Sequence, residues 1–346
     1  MSTLALAGDT MLGRGVAEAL IADPTRPLVA QGVAERIAGA DVFVLNLECC
    51  ISDRGEPFPD PGKPFFFRAP PVAAERLAQL GVTAVTLANN HALDFGPVAL
   101  LDTLRHLADV GIATVGAGAD EAAARAPAHL DCGRTRLRLV ALSDHPAAYA
   151  AGPDAPGIAF ADLDAGVPMW AVAAARPGAD ADGVVVSPHW GPNMVAHPVE
   201  RVRRAAHALV AEGATLVAGH SAHVFQGVTS RVLLDLGDFL DDYAVDPDLR
   251  NDLGLLWLLE LDAGVVRRIR ALPLALDYCY TRVASQEETD WIVGRLQELC
   301  RPLETGVERA GDLIAFEPLR VADWCTDASA TETTRAAGEA ADGPPD

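Results

Sequence analysis

Short apolar runs recur along the first two thirds of the chain, each bounded by Gly, Asp, Asn or His. Stretches 3–8, 42–48, 82–89, 112–117, 136–143, 183–190 and 214–220 have the length and β-branched content of buried strands. Between them, 71–80, 97–109 and 198–212 carry apolar residues at helical spacing, and Pro97 and Pro198 suit a first helical turn. Near-continuous apolar strands separated by helices imply sheets covered on both faces. After residue 230 the rhythm changes. "RVLLDLGDFL", "LGLLWLLELDAG" and "VVRRIRALPLAL" read as strands joined without helices, with Asp262-Ala263-Gly264 as a hairpin turn. The pattern predicts an α/β fold over 1–325 as a single domain with two sheets, and a helix over 286–304. Residues 326–346 carry almost no large apolar side chain and are expected to form a disordered acidic tail.

Two segments break the alternation. Residues 49–71 are rich in Pro and Gly and too long for a plain connector, which predicts a lid-like loop. Residues 143–160 form a second such segment.

Composition narrows the function. Of 346 residues, 48 are acidic and 27 basic, a net charge of −21, so the surface repels nucleic acid and anionic membranes. Lys63 is the one lysine among those 27 basic residues. The six cysteines contain no C-x-x-C pair, which argues against a zinc ribbon or a disulfide framework. No apolar run is long enough for a membrane span. The first residues read as a strand rather than a leader, so a cytoplasmic location is expected.

The chemistry lies where the strands end. Asp9 follows the first strand, Asn46 and Glu48 end the second, and Asn89-Asn90-His91 end the third. His189 ends a later strand, and His220 and His223 close the next. In open α/β sheets these carboxyl ends share one edge, where ligands bind. Carboxylate, amide and imidazole without thiolate suit one or two divalent ions of the Mn, Fe or Zn type.

The blocks "GDTMLGRG", "NLE", "ANNHALDFG", "HWG", "GHSAHVFQG" and "LGDF", in this order over residues 3–245, resemble the CapA family of poly-γ-glutamate capsule biosynthesis proteins. That family lies within the calcineurin-like metallophosphoesterase superfamily. The resemblance implies a four-layer αββα sandwich, two mixed sheets flanked by helices, with a metal site at the sheet edge. It casts Asp9 as a carboxylate of the first metal, Glu48 as the bridging acid and Asn90 as an amide ligand of the second metal. His189 and His220 complete the second metal, and His223 the first. His91 becomes the proton donor to the leaving group and Asp94 the acid that orients it.

Two departures from the family pattern stand out. The superfamily usually has His two residues after the first Asp, where this chain has Met11, so the first metal is expected to be the weaker. Two residues rather than one separate His220 from His223, which leaves open which imidazole serves which metal.

In so acidic a chain, Arg14, Lys63 and Arg68 are the candidates for holding an anionic substrate. Asp238 in "LGDF" is a candidate partner for a ligand histidine. The expected activity is hydrolysis of a phosphoester or a γ-glutamyl amide, on a small or polymeric anionic substrate. The alternative is a non-catalytic factor in capsule assembly or export, with capsule-synthesis proteins as partners and a structural metal site.

Overall fold

The computed structural model describes residues 1–318. The expected tail 326–346, and the last residues assigned to the domain, lie outside the described residues.

The chain alternates strands and helices, then turns antiparallel. In order come β1 (Ser2–Thr10), α1 (Arg14–Ala22), α2 (Gln31–Ala38), β2 (Val42–Leu47), α3 (Val72–Leu80), β3 (Ala84–Thr86), α4 (Gly96–Asp109) and β4 (Ala113–Val115). Next are β5 (Ala128–Cys132), β6 (Thr135–Ser143), α5 (Met169–Ala175), β7 (Gly183–His189), α6 (Glu200–Ala211), β8 (Leu216–Ala218) and β9 (Val232–Leu233). The last part contains β10 (Asp238–Leu240), β11 (Leu253–Asp262), β12 (Val265–Asp277), β13 (Tyr280–Val283), α7 (Gln286–Cys300), β14 (Thr305–Ala310) and β15 (Leu313–Pro318).

A ten-stranded sheet runs β14-β15-β12-β11-β1-β2-β3-β4, with β10 beside β1 and β13 beside β12. Its half from β1 to β4 is parallel, and its half from β11 outward is antiparallel. A five-stranded sheet runs β9-β8-β7-β6-β5, parallel except for β5.

Three apolar layers follow from the two-residue period of the strands. On β1 and β2, Leu4, Leu6, Val42 and Val44 face the second sheet, while Ala5, Ala7, Phe43 and Leu45 face the helices α1 to α4. On β6, Leu137 and Leu139 point inward to the first sheet, and Val140 and Leu142 pack outward beneath α5 and α6. Burial on both faces explains the continuous apolar runs and produces the four-layer αββα sandwich. The exception is α7, whose Ile292, Leu296 and Leu299 join the layer between the sheets.

Some elements differ from the sequence reading. The run 82–89 pairs only over Ala84–Thr86, because Asn89 spends its side chain on Asn46 Oδ1 and the Leu47 carbonyl. "RVLLDLGDFL" is not one strand: Val232–Leu233 belongs to the second sheet and Asp238–Leu240 to the first. The chain crosses from sheet to sheet at 234–237. The hairpin at Asp262 forms as predicted, with Ala263 and Gly264 both in left-handed geometry.

Candidate metal centre

The carboxyl ends of β1, β2, β3, β7 and β8 converge at one edge between the two sheets. The close approach begins at Gly8, where a Cβ would lie 1.8 Å from the Gly237 carbonyl oxygen, so only glycine fits. The Asp9 amide donates to that same carbonyl at 2.9 Å. Here the pairing of β1 with β2 slips between Ala7 and Asp9, and such an irregularity re-aims the side chain that follows it. The His220-to-His223 loop is also specially built. Ser221 and His223 both have positive φ, and a Cβ on Gly219 would collide with the Trp190 indole. The Ser221 amide donates to Asp9 Oδ2 at 3.2 Å, which ties this strained turn to β1.

Two groups of ligand atoms result, and Asp9 belongs to both: Asp9 with His189 and His220, and Asp9 with Glu48 and His223. Asp9 Oδ1 lies 3.6 Å from His220 Nδ1; His223 Nδ1, 3.3 Å from Asp9 Oδ2, is engaged by Asp238, which leaves its Nε2 to meet a metal. His189 Nδ1 is 2.9 Å from His220 Nδ1 and 3.4 Å from Glu48 Oε1. With bonds of roughly 2.1 Å to a shared ion, ligand atoms at right or tetrahedral angles sit ~3.0 to ~3.4 Å apart. The observed spacings fall around that range.

The polar atoms make the same case. Both Glu48 carboxylate oxygens, Asn90 Oδ1 and His189 Nε2 are buried without a hydrogen-bond partner. Buried orphans of this kind are rare and expensive. Burial holds the Glu48 carboxyl well above its ordinary range, with Asp9 adding to the effect, and burial raises Asp235 and Asp238 as well. Asp241 is pushed up to about 6, again by burial. Burial also pushes His220 down to about 3 and His189 well below the usual imidazole value, so both rings are neutral, as ligands must be. For His223 burial opposes protonation, yet the carboxylates of Glu48 and Asp9 raise it. A cluster of buried acids with one favoured cation among them is matched to divalent positive charge.

The surrounding residues hold these ligands in place. Asp238 Oδ1 accepts from His223 Nδ1 at 2.8 Å, the partnership anticipated from "LGDF". Asn46 donates to Asp9 Oδ1 at 2.8 Å. Asp235 accepts the amides of Ala222 and Gly237, each at 2.9 Å. Sequence reading missed Asp235 and Asp241, although four acids within the apolar stretch 232–242 were a signal of buried charge. Met11 is buried, and its sulfur accepts the Gly13 amide at 2.9 Å, so it closes a turn where the superfamily pattern has a ligand.

Beside the ligands stands His91. Its Nδ1 pairs with Asp94 Oδ2 at 2.7 Å, the orientation expected from sequence. Asp94 also accepts the Phe67 amide at 2.6 Å and the Tyr149 hydroxyl at 3.1 Å, and it lies 3.1 Å from Lys63 Nζ. Burial lowers His91 to about 4 even though Asp94 works against it, so the ring is neutral near pH 7. Phe67 stacks on it with ring centroids 4.1 Å apart.

A cleft of about 570 Å³ opens above, lined by Arg14, Phe65, Phe67, His91, His223 and Tyr243 among others. Of the three proposed anion-holding residues, only Arg14 reaches it. Lys63 donates to the Asn90 carbonyl at 2.7 Å and faces Asp94, so it braces the His91 loop. Arg68 lies over the Phe95 ring at 4.1 Å and donates to the Gly55 carbonyl. The loop 49–71 is fastened at Phe67 and Lys63, and its exposed residues lie between Asp53 and Phe65, with a turn at Pro61 and Gly62.

Comparison with known proteins points to one family. The family model described as "Bacterial capsule synthesis protein PGA_cap" matches residues 3–243. A probable polyglutamine synthesis accessory protein of Mycobacterium tuberculosis is 32% identical, over 86% of this chain and 91% of that protein. The PGA biosynthesis protein CapA of Bacillus subtilis is 27% identical, over 68% of this chain and 62% of that protein. A solved hypothetical protein from Thermus thermophilus superposes with a TM-score of 0.45 at 14% identity, covering 78% of this chain and 98% of that one.

Proposed function

The chain belongs to the bacterial capsule synthesis protein family, and from that starting point we propose that it is a metal-dependent hydrolase that cleaves a phosphoester or a γ-glutamyl type amide. The observation that carries the reading is the pair of ligand-type groups that share Asp9, with both Glu48 oxygens buried and unpartnered in one of them. Asp9, Glu48 and His223 would hold one divalent ion, and Asp9, Asn90, His189 and His220 the other. A divalent cation of the Mn, Fe or Zn type supplies Lewis acidity there and lowers the pKa of a water from 15.7 toward ~7.

The protein's own groups do the rest. Asp94 fixes the His91 tautomer with the proton on Nδ1, which leaves Nε2 for the cleft that His91 lines. An anionic group entering the cleft favours the protonated ring. The donor role of His91 toward the leaving group therefore belongs to the substrate-bound state. Phe67, stacked on the imidazole and bonded to Asp94, keeps water from that side.

A second reading rests on the name of the mycobacterial relative, an accessory protein. In it the centre is structural and the protein serves capsule-polymer synthesis or export beside other proteins of that system. A cytoplasmic location is part of both proposals; no helix among the described residues is long and apolar enough to cross a membrane.

One experiment separates the two. Purified protein is loaded with Mn²⁺, its metal content is measured, and it is assayed on bis(p-nitrophenyl) phosphate and γ-glutamyl-p-nitroanilide. The hydrolase reading expects bound metal and turnover, both lost in the His189→Ala, His220→Ala double variant. Bound metal with no turnover of either class selects the accessory reading. Failure of the wild type to bind metal overturns both.

A further inference from the structure

We propose that the cleft accepts an organic monoanion bearing a flat apolar group, and that it excludes a polyanionic chain. This rests on the hydrolase reading only in calling that ligand the substrate.

Charge carries the first half of the inference. Arg14 is the one Arg or Lys among the described residues lining the cleft. Its guanidinium is already half committed: Nε donates to Asp242 Oδ1 at 3.0 Å, and Nη2 joins the same carboxylate. Arg14 thus has donors left for one further anionic group. Lys63 and Arg68 sit close in sequence but are turned to Asp94 and Phe95. Behind the cleft lie the buried acids Asp9, Glu48, Asp238 and Asp241, and the whole chain carries −21. Arg14 is matched by Asp242, and two divalent ions would meet the buried acids, Asp235 included, so a single anion finds metal and the free Arg14 donors but no surplus positive charge beyond them. They leave nothing for the repeated carboxylates of a glutamate polymer, which the surrounding field repels.

The walls carry the second half. Phe65, Phe67 and Tyr243 surround the guanidinium, with ring centroids 5.6, 5.0 and 5.3 Å from its carbon. Phe65 is 54% exposed and Met194 36% exposed, so both keep apolar surface free at the cleft mouth. An exposed phenyl beside a cation and the candidate metal centre is a ready stacking face for a planar group.

The test titrates diphenyl phosphate, dimethyl phosphate and a γ-linked glutamate hexamer into the Mn²⁺-loaded full chain by calorimetry. Diphenyl phosphate is expected to bind about tenfold or more tightly than either of the others, the scale of one aromatic contact. Phe65→Ala, at a half-exposed position that leaves the fold intact, should bring the two phosphates to within about threefold. Arg14→Gln should weaken both phosphates alike. Hexamer binding as tight as diphenyl phosphate overturns the proposal, as does an aryl preference that survives Phe65→Ala combined with Met194→Ala. No measurable diphenyl phosphate binding overturns it too. The expected binding order without turnover of any ester would remove the hydrolase reading and leave this cleft preference standing.

Discussion

Replacing Glu48 by Gln should stabilise the metal-free protein and destabilise the metal-loaded one. Glu48 is fully buried, with neither oxygen hydrogen-bonded, and burial plus the neighbouring Asp9 hold its carboxyl well above the ordinary value of 4.5. A carboxyl raised in the folded state weakens the fold at every pH above its unfolded value. The penalty grows by about 1.4 kcal/mol for each pH unit between the unfolded and the raised folded value. Gln keeps the shape and removes that penalty, and returns about 1–2 kcal/mol of it through an imperfectly bonded amide. A net gain on the order of 1 kcal/mol corresponds, in a chain of 346 residues, to a rise in Tm of roughly 1–2 °C. Thermal melts in EDTA at pH 7 measure it, and the difference should close as the pH falls toward 4.5. With Mn²⁺ the order should reverse. Saturation at a hundredfold excess over Kd adds about 2.7 kcal/mol to a protein that binds the ion, and the Gln variant forfeits much of this. A variant that shifts Tm by the same amount and sign with and without metal would refute the assignment of Glu48 as a ligand.

His91→Ala should keep the metal and the fold while losing about 10²–10⁴ in rate, most for esters with poor leaving groups; equal activity on a poor leaving group removes the donor role. Met11→His should raise the measured metal-to-protein ratio, since the wild-type thioether is spent on the Gly13 amide; an unchanged ratio would show that the first group is already filled. Limited proteolysis should cut the 49–71 loop first at its exposed turn near Asp60 to Gly62, and diphenyl phosphate should slow the cut if the loop is a lid; equal cutting with and without the probe counts against that.

The candidate ligand residues were legible because each stands where an apolar run stops, and polar groups at such points are poorly explained by packing. Asp94 was legible as a partner because it follows His91 within one motif, and Asp238 because it stands in its own short block, 15 residues after His223. What sequence could not show was contact across long spans. Lys63 looked like a substrate cation, and only the fold brings Asp94 within 3.1 Å of it. Asp235 and Asp241 were hidden in a run read as strand, because nothing local says that 232–233 and 238–240 join different sheets. The strands Thr305–Ala310 and Leu313–Pro318 escaped because the first alternates weakly and gains its pattern from pairing with its neighbour.

The position of β1 bears on how this protein is made. Its upper edge pairs with β11 through Leu6 and then with β10 from Asp9 onward, both encoded after residue 237. Asp9 and the Ser221 amide that holds it are 212 residues apart. At ribosomal speeds of about 5–20 residues per second, that interval lasts on the order of ten seconds or more. Throughout it the central strand of the larger sheet has an open, apolar edge, the kind that pairs with other chains. A nascent chain paused before residue 238 has made all six candidate ligand residues but lacks the strand that locks Asp9 among them, so slow translation there should be the condition under which this protein aggregates or captures the wrong ion.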